Sequence, residues 1–132
     1  MKIIASEHNE QVSLFQWAAM QTARYPELAL MFAVPNGGLR NATVAAKLKA
    51  EGVKPGVPDI FLPVVRGGYH GLFIEMKRTK GGKLSAEQAN WIAKLLEQRY
   101  AVYKCEGWAK AKECIEQYLK LAPESGRKAV FP

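Results

Sequence analysis

Asp59, Glu75 and Lys77 stand inside the most apolar part of this chain, the stretch "GVPDIFLPVVRGGYHGLFIEMKRTKGG". Side chains alternate along a β-strand. In "GLFIEMKR", Leu72, Ile74 and Met76 therefore face one way, and Phe73, Glu75 and Lys77 the other. If the strand before it pairs with this one, Asp59 comes beside Glu75, with Ile60 and Leu62 directed away from Asp59. Two carboxylates held together repel, and burying them costs free energy. A divalent cation removes that cost. Mg²⁺ prefers hard oxygen ligands, which a carboxylate from each strand, a backbone carbonyl and waters would supply. A cation of this kind also lowers the pKa of water it holds. Lys77 could orient or help deprotonate that water, and could stabilise negative charge on a phosphate in the transition state. Such an assembly would suit phosphodiester hydrolysis. An acid two residues from a lysine usually marks a solvated strand face. The Pro58-Asp59 pair and the Ile, Phe, Leu and Val around it argue against that here.

The elements that must hold these groups are legible in outline. Ser6 caps a first helix that carries Leu14, Phe15 and Ala18 on one stripe and ends before Pro26, with Glu7 and Glu10 near its positive end. "LALMFAVPNGG" predicts a short strand and turn. "NATVAAKLKAEG" predicts a helix capped by Asn41 and stopped at Gly52. "VPDIFLPVV" and "YHGLFIEMKR" predict two strands around an "RGG" hairpin turn, the first kept short, bulged or near an edge by Pro63. Ser85 to Gln88 fits a capping box that opens a helix through "AEQANWIAKLLEQR". "YAVYKC" is a strand and "GWAKAKECIEQYLK" an amphipathic helix. This order predicts an α/β fold with one mixed central sheet flanked by helices. We expect one domain over residues 1–122 and a loosely held tail over 123–132.

The chain has 132 residues, 48% of them hydrophobic, so it can build a core without a disulfide framework. Its net charge of +7 points to a polyanionic partner, nucleic acid before an anionic membrane. Cys105 and Cys114 form no zinc motif and are expected as reduced thiols. No apolar run reaches a membrane span and no secretory signal is evident, so a cytoplasmic protein is expected. Trp17, Trp91 and Trp108 fall in helices and read as core or interface residues.

Pro58-Asp59 followed by Glu75-Met76-Lys77 resembles the P-D…E-x-K pattern of the restriction-endonuclease-like superfamily. "SEHNEQVSLFQWA", "VPNGGLR", "GVPDIFLP", "GLFIEMKR" and "GGKLSAEQANWI" resemble, in order, the motifs of its virus-type replication-repair nuclease (VRR-NUC) family, over roughly residues 6–120. The resemblance implies a restriction-endonuclease-like core. It also implies Asp59, Glu75 and the carbonyl of Met76 as ligands of Mg²⁺ or Mn²⁺, and Lys77 as the catalytic lysine. Gln88 matches the family's active-site glutamine, although the capping box accounts for it equally well. A first-helix acid completes the metal shell; Glu7 and Glu10 both fit, with Glu7 slightly favoured and the other left as an ordinary first-turn acid. Asn36 and Arg40 would approach the scissile region and a phosphate, or simply form a turn. Arg78, Lys80 and Lys83 would grip DNA phosphates or remain solvated, and Gly81 and Gly82 suit a mobile loop. His8 reads as a satisfied or solvated histidine.

The resemblance therefore implies a Mg²⁺- or Mn²⁺-dependent DNA endonuclease. Small stand-alone members resemble phage or prophage proteins that act as homodimers on branched DNA, resolving four-way (Holliday) junctions in DNA repair. The alternatives are a monomeric flap- or end-directed nuclease and a DNA-binding module without catalysis. The first helix, with the helix around Trp91 or Trp108, is the expected dimer surface.

Overall fold

The computed structural model describes residues 5–35 and 41–124. In chain order it contains α1 (Glu7–Met20), a 3₁₀ turn (Pro26–Leu30), β1 (Phe32–Ala33), α2 (Ala42–Ala50), β2 (Ile60–Leu62), β3 (Leu72–Lys77), α3 (Ala86–Glu97), β4 (Ala101–Glu106) and α4 (Trp108–Leu119). The sheet runs β1-β2-β3-β4. The first two pairings are antiparallel, and β3–β4 is parallel, with α3 as the crossover.

Local chemistry sets most boundaries. The Ser6 side chain accepts from Asn9 N–H to start α1, and the Asn41 side chain accepts from Val44 N–H to start α2. α2 stops where Gly52 adopts a positive φ of 98°. It buries none of its residues. The strand expected over "LALMFAV" is overturned in its first half. Pro26 fixes the φ of a first helical position, and a 3₁₀ turn follows, leaving only Phe32 and Ala33 as strand. Pro63 does keep β2 short, but β2 is an inner strand, and the proline falls just beyond its end. The "RGG" turn closes between Arg66 and Tyr69, with Gly67 and Gly68 both at positive φ as a type I′ turn requires. Residues 122 and 123, expected at the edge of a loose tail, are tied to this hairpin. Ala122 C=O accepts from Gly67 N–H at 2.9 Å, and Pro123 bridges Arg66. From residue 125 the expected tail lies outside the described residues.

One face of the sheet carries Ile60, Leu62, Leu72, Ile74, Met76 and Cys105, which join Leu14 and Ala18 of α1 and Ala111, Ile115 and Tyr118 of α4 in a single core. Burying each large aliphatic chain contributes about 1.5–3 kcal/mol. Trp17 and Trp108 pack against this core from its margin, as expected of helical tryptophans. On the other face Phe61 and Phe73 stack with centroids 4.3 Å apart, and Tyr100 meets both edge-on. Glu75 and Lys77 belong to that second face, on the side of α3.

Candidate active site

The β2–β3 register pairs Ile60 with Ile74, so one step further along each strand brings Asp59 opposite Glu75. Asp59 is held there by backbone N–H groups of β3 and of the residue after β1. Its Oδ2 accepts from Met76 N–H at 2.8 Å, while Val34 N–H donates to its carbonyl. Met76 thus meets the acid pair through its N–H. Glu75 is 2% exposed, and its Oε1 has no hydrogen-bond partner among the described residues. Burial, and then the hydrogen bond and charge of Asp59, push its carboxyl up to about 9 against the weaker pull of Lys77. A buried carboxyl with an orphaned oxygen, set against a half-buried second acid, is costly as it stands. It fits a hard divalent cation, which would relieve both the repulsion and the missing bond.

Lys77 is 5% exposed. Its Nζ lies 3.9 Å from Glu75 Oε2 but donates to Gln88 Oε1 at 3.0 Å. The ammonium is therefore drawn toward the glutamine, which explains why it does little to ease the charge on Glu75. Gln88 makes the capping-box contacts and also meets Lys77. The same Oε1 accepts from Ser85 N–H at 2.9 Å, and Gln88 N–H donates to Ser85 Oγ at 3.1 Å. One oxygen starts α3 and fixes the lysine. Gly82 is part of this arrangement. A Cβ there would sit 2.8 Å from Lys77 Cβ, so the glycine is needed for close packing on the lysine stem, a role that reading it as loop flexibility missed.

The first-helix acids separate. Glu10 is buried, and its Oε1 accepts from Trp108 N–H at 3.2 Å, capping α4, whose own N-cap is Gly107 at φ 88° with no side chain to offer. Gly107 is also required sterically, since a Cβ there would meet Thr79 Cγ2 at 2.8 Å and Glu10 Oε2 at 3.3 Å. Glu10 is thus not the ordinary first-turn acid that sequence allowed. Glu7 is exposed, and its charge is the one from α1 that bears on Glu75. Glu7 lines a polar cleft of about 410 Å³ with His8, Arg78, Gly82 and Lys83. The structure brings Arg78 and Lys83 together there; Lys80 is exposed and lies outside the lining. His8, set aside on sequence, shares the cleft, and its position one residue after Glu7 was the available signal. Among the described residues no three Asp, Glu, His or Cys side chains form a ready-made metal cage. Asn36 and Arg40 lie outside the described residues.

Residues 2–109 match the model of the VRR-NUC domain. The chain belongs to the VRR-NUC family. A solved structure of a VRR-NUC domain protein superimposes with a TM-score of 0.79 at 29% identity, covering 92% of this chain and 93% of that one. No curated protein sequence matches. The VRR-NUC domain has a restriction-endonuclease-like fold, so the mixed sheet and its flanking helices form a nuclease core that acts on DNA. Nuclease domains of this type typically use a divalent metal. No helix among the described residues of this VRR-NUC chain is long and apolar enough to cross a membrane.

Proposed function

We propose that this chain is a Mg²⁺- or Mn²⁺-dependent DNA endonuclease whose centre is Asp59, Glu75, Lys77 and Gln88, acting as a homodimer on four-way junctions. The observation that carries the catalytic reading is the buried Glu75, its Oε1 without a partner among the described residues, opposite the half-buried Asp59 and beside a lysine held at 3.0 Å by Gln88. Asp59, Glu75 and the Met76 carbonyl would hold the cation, with Glu7 at its open side. The bound ion would supply Lewis acidity and activate water. Lys77 places a fixed positive charge where the phosphate gains negative charge, and Gln88 keeps that charge from collapsing onto Glu75. Arg78 and Lys83 position a neighbouring phosphate in the polar cleft, joined by Asn36, Arg40 and Lys80 along the DNA backbone.

Symmetry supports the junction. Two matching cuts in opposite strands need two sites related by a two-fold axis, and one chain supplies one. The outer face of α1 offers a surface for the second copy. Met20 is 77% exposed, and Val12, Phe15, Ala19 and Ala33 line an apolar groove of about 570 Å³. The protein would work in the cytoplasm of a bacterial or phage-infected cell, where branched DNA arises. The test offers purified protein labelled four-way junction, 5′ flap, splayed arm and linear duplex with Mg²⁺, Mn²⁺ or EDTA, and measures its mass by light scattering. Paired symmetric cuts in the junction by a dimer are expected. A monomer that prefers the flap would replace the junction reading with the end-directed one.

A further inference from the structure

Two cysteines that the nuclease centre does not use lie together on the α4 side of the sheet, away from α3. Cys105, on β4, is 1% exposed, and Cys114, in the middle of α4, is half-buried. Their sulfurs are 3.6 Å apart, and both are free thiols. Cys114 also lines a cavity of about 470 Å³ together with Tyr103, Lys110, Glu113 and Gln117. A small polar molecule in that cavity reaches Cys114 and is kept from Cys105, which sits behind it.

We propose that Cys105 and Cys114 form a peroxide-reactive dithiol site, with Cys114 attacking the oxidant and Cys105 resolving the product as an intramolecular disulfide. The hydrogen bond with Cys105, helped by the Lys110 ammonium, holds the Cys114 thiol down to about 7 against burial and the charge of Glu113. That bond and burial push Cys105 upward. Cys114 is therefore a thiolate for much of the time at neutral pH, and Cys105 is not. The Cys114 thiolate attacks one peroxide oxygen. An S–O bond forms, the O–O bond breaks, and the departing hydroxide takes the proton that Cys114 had released, giving water and a sulfenic acid. The sulfur of Cys105 then attacks the sulfur of Cys114. The S–S bond forms, the S–O bond breaks, and the leaving hydroxide takes the Cys105 proton as a second water. Two thiols are oxidised and one peroxide is reduced. From 3.6 Å the sulfurs need to close by about 1.5 Å to reach bonding distance.

The test reduces the full chain, removes the reductant, and treats it with one equivalent of hydrogen peroxide in EDTA. The protein is then unfolded in guanidinium with iodoacetamide, and its intact mass is read. The oxidised chain should lose the mass of two hydrogen atoms and take up no alkyl group, and dithiothreitol should restore both thiols. Cys114→Ser should leave Cys105 fully alkylated after the same treatment. Cys105→Ser, which keeps a hydroxyl to donate to Cys114 but cannot form the disulfide, should leave Cys114 as a sulfenic acid that dimedone traps. Asp59→Asn, changed only at the metal pair, should oxidise like the wild type, so the outcome is independent of the nuclease reading. Two alkylated cysteines after peroxide, oxygen addition to Cys105 in place of Cys114, or a disulfide joining two chains would each overturn the proposal.

Discussion

Glu7 and Glu10 are one helical turn apart and chemically identical, yet their surroundings give them different work. The Glu10 carboxylate replaces a missing cap at the start of α4. That of Glu7 faces the cleft beside Glu75. Removing a buried hydrogen-bond acceptor leaves the Trp108 N–H unpaired, at a cost of about 1–3 kcal/mol. We expect Glu10→Ala to lower the thermal midpoint by several degrees and Glu10→Gln, which keeps Oε1, to lower it much less. Glu7→Ala should leave the midpoint unchanged in metal-free buffer and weaken Mn²⁺ binding by calorimetry. Equal midpoints for Glu7→Ala and Glu10→Ala would contradict this assignment. The family resemblance called for a first-helix acid and favoured Glu7 only slightly, because the separation of the two depends on α4, nearly a hundred residues away along the chain. The pairing of Asp59 with Glu75 was legible, since strand alternation and one antiparallel register determine it. The Gly82 contact with Lys77 was not, because a glycine reads identically whether it supplies freedom or makes room.

The start of α3 couples an element's stability to the chemistry. Ser85 Oγ and Gln88 Oε1 satisfy each other's backbone N–H groups, and that Oε1 also binds Lys77. The two roles can be pulled apart. Ser85→Ala removes one half of the box and should cost about 1 kcal/mol of stability in denaturant melts while leaving the cleavage rate near wild type. Gln88→Ala removes the other half of the box and the partner of Lys77. It should show a similar loss of stability and a cleavage rate lower by about ten-fold or more, because the lysine loses its anchor. Equal rates in the two variants would mean that Gln88 is a cap and nothing else. Helices and their caps were readable from sequence because the signals are local: Ser6, Asn41 and Ser85 each cap the helix they precede. The strand expected before Phe32 failed because Pro26 favours a 3₁₀ start over an apolar run that fits either state.

At the scale of the molecule, the fold carries a buried acid that suits a cation better than water. With the Glu75 carboxyl pushed up to about 9, the folded chain keeps a proton that the unfolded chain loses near the ordinary value of 4.5. Between those limits the folded state binds more protons, so metal-free stability falls as pH rises. We expect the stability of metal-free wild type, relative to Glu75→Gln, to decline from pH 5 to pH 9, and Mn²⁺ to abolish that decline. A pH-independent difference would show that Glu75 is ionised throughout. The +7 charge and the VRR-NUC core point to DNA. In the proposed dimer, the DNA structure that is cut would depend on the shape of the assembly, toward which the described residues offer an apolar α1 face. The central claim is that Asp59, Glu75 and Lys77 cut DNA with a divalent metal. Its most direct test is the cleavage of a labelled four-way junction by wild type and by Lys77→Ala, beside the binding of each to the same junction. Wild type should cut with Mg²⁺ or Mn²⁺ and stop in EDTA, while Lys77→Ala binds as tightly and cuts at least about a hundred-fold more slowly. Wild-type protein that binds but cuts with neither metal, or Lys77→Ala that cuts at the wild-type rate, would contradict it.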